Sequence, residues 1–242
     1  MAGTSLAIPR PSYGNPLSTA SVLAKLLFSC EELLWPSCAK VKARLPHASH
    51  VRIEMILNMA ELGGGEVLSG ATSGRTVFAE MLKLTAAEPP VITPVLLNFA
   101  WVGVATSSFL RESVLAFRDA IRSRRSNYYP VVANANPDVR EELEELLHRR
   151  GGVLMACTTQ DGEVAETSLI GELDPKQRLT FDLVQQRRET DAGELMREFA
   201  GSERVKSPTA WNNRLTNLAS LGLVAEVSQG RSKRYKALFT GV

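Results

Sequence analysis

Two clusters near the C-terminus hold side chains of the kind that read nucleic acid. The first is Thr209, Asn212, Asn213, Arg214 and Thr216. Asn bonds adenine bidentately, and Arg reaches guanine or phosphate. The second is Arg231, Lys233, Arg234 and Lys236, four cations within six residues. Such a basic tip suits phosphate contact beside a groove. The charge distribution points the same way. From Pro175 to Val242 there are 12 Lys/Arg against 7 Asp/Glu, a net of +5, while Met1 to Asp174 holds 16 against 19, a net of −3. A basic end on a slightly acidic body predicts that the end meets a polyanion and the body does not.

Other constellations carry less. Cys30, Cys38, His47 and His50 are spaced C-x7-C-x8-H-x2-H and lack the close Cys pair of a zinc knuckle. They read as core, and no metal or other cofactor is expected. Gly63-Gly64-Gly65 is a turn, because no Gly-Lys-Ser follows it. Glu141, Glu142, Glu144 and Glu145 look like a solvated helix face, partnered at i+4 by His148 and Arg149. The three histidines all lie in or beside helical, charged sequence, so no Ser-His-Asp or Cys-His set is defensible. Catalysis is not expected.

The elements that must position these residues follow from periodicity and punctuation. Met1 to Asn15 is a Pro-, Gly- and Ser-rich lead-in. Pro16 to Leu45 is helical in pattern, either packed on the next domain or a dimer contact. Val51 to Leu57 is strand or helix, Val67-Leu68 a short strand, and Ser73 to Ala86 a helix. Val95 to Phe99 is a buried strand, Ser108 to Arg122 a helix, and Tyr128 to Ala133 a strand. Asn136 and Pro137 open the clearest helix, His148-Arg149-Arg150 close it, and Gly151 stops it. Gly152 to Cys157 returns as a strand. This alternation predicts crossover units in a mostly parallel or mixed sheet. After Asp174-Pro175 come helices at Lys176 to Arg188, Asp191 to Ala200 and Ser207 to Leu221, then strands at Val224 to Val227 and Lys233 to Phe239. Asp191 with Glu194 forms a capping-box pattern.

The 242 residues suit two small domains after a lead-in. We place the boundaries at 1–45, 46–170 and 171–242. Three cysteines cannot make a disulfide framework, so a reducing, cytoplasmic setting is expected, and no signal peptide is expected from the broken first fifteen residues. Pro89 to Leu110 lacks charge, but its prolines and Asn98 suit a buried strand and loop better than a membrane span.

Three helices and a hairpin within about 65 residues make a winged helix-turn-helix. The stretch Gly193 to Phe239 resembles the DNA-binding part of the MarR/ArsR-type regulators, most closely over Leu215 to Leu238. There the pattern is the end of a recognition helix followed by the wing. Val95 to Phe99 leading to Thr106-Ser107-Ser108-Phe109 resembles the STAS domain of bacterial anti-sigma-factor antagonists. That pattern has acidic residues where this chain has Asn98 and Thr106, and Gly where it has Phe109. These departures, with Ser73-Gly74-Arg75 upstream, point to the STAS-like subgroup over about Val51 to Thr159. The resemblance implies phosphorylation of Ser107 by a partner kinase; simple helix capping by Ser107 or Ser108 is the other reading. The fold expected is therefore α/β, a STAS-like mixed sheet with helices, plus a C-terminal winged helix. The function expected is a prokaryotic transcriptional regulator binding duplex DNA, as a homodimer. The alternative is a partner-switching adaptor, served by a histidine-kinase-like ATPase, whose winged helix docks protein.

Overall fold

Hydrophobic alternation decides this fold, because both faces of one sheet are buried. A computed structural model of the chain describes residues 55–199, 207–230 and 232–239. The N-terminal helical segment, the Cys30/Cys38/His47/His50 set and Arg231 lie outside the described residues. The central sheet has the order β1-β3-β5-β6-β7, from β1 (Met55–Asn58), β3 (Thr93–Asn98), β5 (Tyr128–Ala133), β6 (Leu154–Gln160) and β7 (Glu163–Ile170). The first four are parallel, and β7 returns antiparallel to β6. Parallel neighbours in chain order need crossovers of one hand, which put the connecting helices on one face. Those helices are α2 (Ala71–Leu84), α3 (Ser107–Leu110) continued through a π-turn (Arg111–Leu115) into α4 (Ala116–Ser123), and α5 (Pro137–Arg150). A short α1 (Met59–Gly63) precedes β2 (Val67–Leu68), which pairs with β4 (Val104–Ala105).

Alternate strand residues then divide between two cores. Val95, Leu97, Val132 and Leu154 face Val77, Met81, Phe109, Phe117, Val139 and Leu143 of the helices. Leu96, Tyr129, Val131, Ala133, Met155 and Cys157 face the other way. The C-terminal elements cover that second face: α6 (Pro175–Arg187), β8 (Glu189–Thr190), α7 (Ala192–Phe199), α8 (Pro208–Leu221), β9 (Val224–Gln229) and β10 (Ser232–Ala237). Phe181, Val184, Leu195, Trp211, Leu215, Leu218 and Tyr235 belong to the same buried cluster as the strand residues. Burial pushes the Cys157 thiol up to about 12, so it stays protonated and unreactive at neutral pH. Among the described residues no helix is long and apolar enough to cross a membrane.

Local chemistry fixes the helix ends. The Asn136 side chain accepts from the Val139 N–H at 2.8 Å, with Pro137 in the first turn. The Asp191 carboxylate accepts from the N–H groups of Gly193 and Glu194, and the Glu194 carboxylate accepts from the Asp191 N–H. The expected capping box is therefore present. The π-turn coincides with Ser113, whose buried hydroxyl donates to the Phe109 carbonyl at 2.7 Å and competes with the helix ladder there. A chain of side-chain bonds, Asn58–Asn98–Asn134–Thr159, ties together the C-terminal ends of β1, β3, β5 and β6.

One glycine is dictated by close packing. A Cβ on Gly74 of α2 would lie 2.7 Å from the Phe109 carbonyl oxygen and 3.0 Å from the Glu112 Cβ. Gly74→Ala is expected to destabilise by roughly 1–3 kcal/mol through overpacking, against a helix-propensity gain of about 1 kcal/mol. Denaturant titration reads this directly. An unchanged midpoint would mean that the overpacking costs no more than the propensity gain, because α2 and α3 shift apart to admit the methyl.

Candidate nucleic-acid interface

The inward stripe of α8 explains its outward one. Trp211, Leu215, Leu218 and Ala219 are buried at helical spacing and anchor the helix. Trp211 packs against Phe199 of α7, ring centroids 6.2 Å apart. Gly222, at φ 78°, ends the helix in the left-handed conformation. With that stripe inside, Thr209, Asn212, Asn213 and Thr216 are left exposed on the opposite side. Asn217 and Ser220 extend the same face and are also exposed. Sequence reasoning missed these two, although their i+4 spacing from Asn213 and Thr216 was a usable signal. The face consists of uncharged hydrogen-bonding groups, which can donate to and accept from base edges.

Arg214 stands apart from the other four. Its guanidinium stacks 4.7 Å over the Trp211 ring, on the flank of α8. Asn212 and Thr216 sit one turn apart and share a partner. The Tyr235 hydroxyl lies 3.0 Å from Thr216 Oγ1 and donates to Asn212 Oδ1 at 3.5 Å. Burial raises the Tyr235 hydroxyl above its ordinary pKa, so it holds its proton for this bond. Among the described residues the Asn212 amide nitrogen donates to no partner.

Three of the four hairpin cations, Lys233, Arg234 and Lys236, are engaged in ion pairs. The β10 strand pairs with β8 in the register Tyr235 to Thr190 and Lys236 to Glu189, which lays acidic residues beside the hairpin. Arg234 is held by Glu189, by Glu194 at 3.1 Å and by Asp191 at 3.4 Å. It ties β10 to the start of α7 and presents no free cation. Lys236 pairs with Glu189 at 3.1 Å and Lys233 with Glu226 at 2.8 Å. The Lys236 and Arg234 hydrogen bonds hold the Glu189 carboxyl below its usual range. Lys233 and Lys236 are still partly exposed, so each can also face a phosphate.

Ser107 lies at the opening of α3, but the cap is Thr106, whose Oγ1 accepts from the Phe109 N–H at 3.5 Å. Ser108 Oγ is 3.2 Å from Thr106 Oγ1. The Ser107 hydroxyl instead donates to the Glu142 carboxylate of α5. Three of the α5 acids, Glu141, Glu144 and Glu145, are exposed as the expected solvated face, and Glu142 departs from it. Glu142 is half-buried on Ser107, Glu144 pairs with Arg140 at 3.1 Å, and Glu145 pairs with Arg149. A phosphate on Ser107 would meet the charge of Glu142.

Among the described residues no cluster of three or more His, Cys, Asp or Glu side chains is placed to hold a metal ion. Comparison of the chain with protein-family models and with curated proteins gives no match.

Proposed function

We propose that the protein is a regulator that binds duplex DNA through its C-terminal module, with α8 as the reading helix. The observation that carries this reading is the continuous uncharged polar face of α8: Thr209, Asn212, Asn213 and Thr216, backed by an apolar anchor. Helix order supports it too. The sequence α6, β8, α7, α8, β9, β10 with strand order β8-β10-β9 is compatible with a winged helix. In this reading Arg231, Lys233 and Lys236 contact phosphate, Arg214 reaches the backbone flank, and Arg234 positions the wing. The α/β body, STAS-like in this reading, docks a partner or senses a signal in a prokaryotic cytoplasm. A single winged helix covers about half of a usual operator, so a homodimer is the working form. Mapping genomic DNA bound in cells tests the reading. Discrete enriched sites with a shared two-fold motif are expected; background enrichment alone contradicts it.

The second reading, a partner-switching adaptor with a kinase-like ATPase as partner, draws on the ion-paired hairpin, whose paired charges suit a protein surface as well as phosphate. Enrichment of that ATPase, with no enriched DNA, would select it.

A further inference from the structure

Beside the outer face of α8 the surface falls into a groove of about 330 Å³. One wall is the end of α4 and the turn that follows it, with Arg122 and Arg125. The other is the hairpin, with Glu226 and Lys233. Thr216 and Ser220 of α8 form the rim. Three of these side chains are cations and one is a carboxylate.

The three cations differ in how far they are engaged. Arg122 donates to the carbonyls of Ser126 and Tyr128, both at 2.9 Å, and stacks 4.2 Å over the Tyr129 ring. It holds the turn against the sheet. Lys233 pairs with Glu226. Arg125 is exposed, and among the described residues its guanidinium makes no hydrogen bond or ion pair. It faces Lys233 closely enough for its charge to oppose that lysine's protonation, although the Glu226 bond outweighs it. Two cations thus line one groove, and the carboxylate that lines it, Glu226, is paired with Lys233. Glu226 keeps Lys233 charged, and the exposed Arg125 guanidinium adds a cation that an entering anion can meet. The backbone adds a further point. Arg125 has φ +52°, a conformation that suits Gly or Asn, yet the chain has an arginine there.

We propose that this groove receives a phosphodiester of the duplex whose base edges meet α8. Arg125 and Lys233 contact the phosphate oxygens, and Arg122 is a positioning residue for the turn. The α/β body then contributes directly to DNA binding, beside the C-terminal module. The inference rests on the DNA-binding reading and adds to it a contact outside the winged helix.

The test uses the full chain with labelled duplex DNA, titrated across ~50 to ~200 mM salt. Arg125→Gly removes the cation at a backbone position that glycine tolerates, so folding is preserved. Arg125→Lys keeps the charge. The glycine variant is expected to bind several-fold more weakly at low salt, with the slope of log affinity against log salt reduced by about 0.9, one phosphate contact. The lysine variant is expected to keep the wild-type slope. Wild-type affinity and slope in Arg125→Gly would overturn the groove contact and leave the α8 reading standing. No duplex binding by the wild-type chain would overturn both.

Discussion

Replacing Asn212 and Asn213 together by Ala is expected to abolish most sequence discrimination in duplex binding while leaving the protein folded. Both side chains are exposed on α8, and neither contributes to its buried stripe. The substitution therefore removes no core volume, and Ala is a better helix former than Asn. A bidentate Asn–adenine pair discriminates by about 1–3 kcal/mol, so each lost Asn is worth roughly 5- to 150-fold against a mismatched site. Non-specific affinity, set by phosphate contacts, should change little. Competition between a selected site and random duplex measures the ratio. A double variant with wild-type discrimination would mean that α8 does not face the bases. Asn212 carries one added effect. Its carbonyl accepts from Tyr235, so its loss leaves that hydroxyl to Thr216.

Trp211→Ala is expected to cost the most stability of any single change in the C-terminal module, roughly 3–5 kcal/mol. The indole is fully buried and joins α8 to Phe199 of α7, while Arg214 covers its other side. Its cluster also includes Leu96, Val131 and Met155 from the central sheet. The loss should therefore lower the midpoint of one shared unfolding transition, followed by far-UV circular dichroism in denaturant. A second transition separating helix α8 from the sheet would mean that the shared core does not couple them. Leu215→Ala should act in the same direction by about 2–5 kcal/mol, because Leu215 is equally buried in that cluster.

What was legible beforehand follows the range of each interaction. The strand Tyr128–Ala133 and the helix opened by Asn136 and Pro137 are local in origin, and both were readable from turn chemistry and periodicity. The same holds for the Asp191–Glu194 box and for the Gly222 stop. Strand β7 was missed because its residues alternate weakly: it is an edge strand, mostly exposed, and makes sense only as the antiparallel partner of β6. The π-turn leaves no mark in the periodicity and coincides with one buried side-chain bond, Ser113 to the Phe109 carbonyl. The candidate site divides in the same way. The polar face of α8 was legible from spacing within one helix. The state of the hairpin was not, since Arg234 meets Glu189 and Glu194 across some forty positions of chain through the β8–β10 register. The groove was invisible for the same reason, because Arg125 and Lys233 belong to distant elements.

The central claim is that α8 and its surroundings bind duplex DNA. The most direct measurement is fluorescence anisotropy of a labelled duplex titrated with the full chain at two salt concentrations. Saturable binding at low salt that weakens as salt rises is the expected result, because phosphate contacts release counterions. No binding at low salt, or binding indifferent to salt, would contradict it.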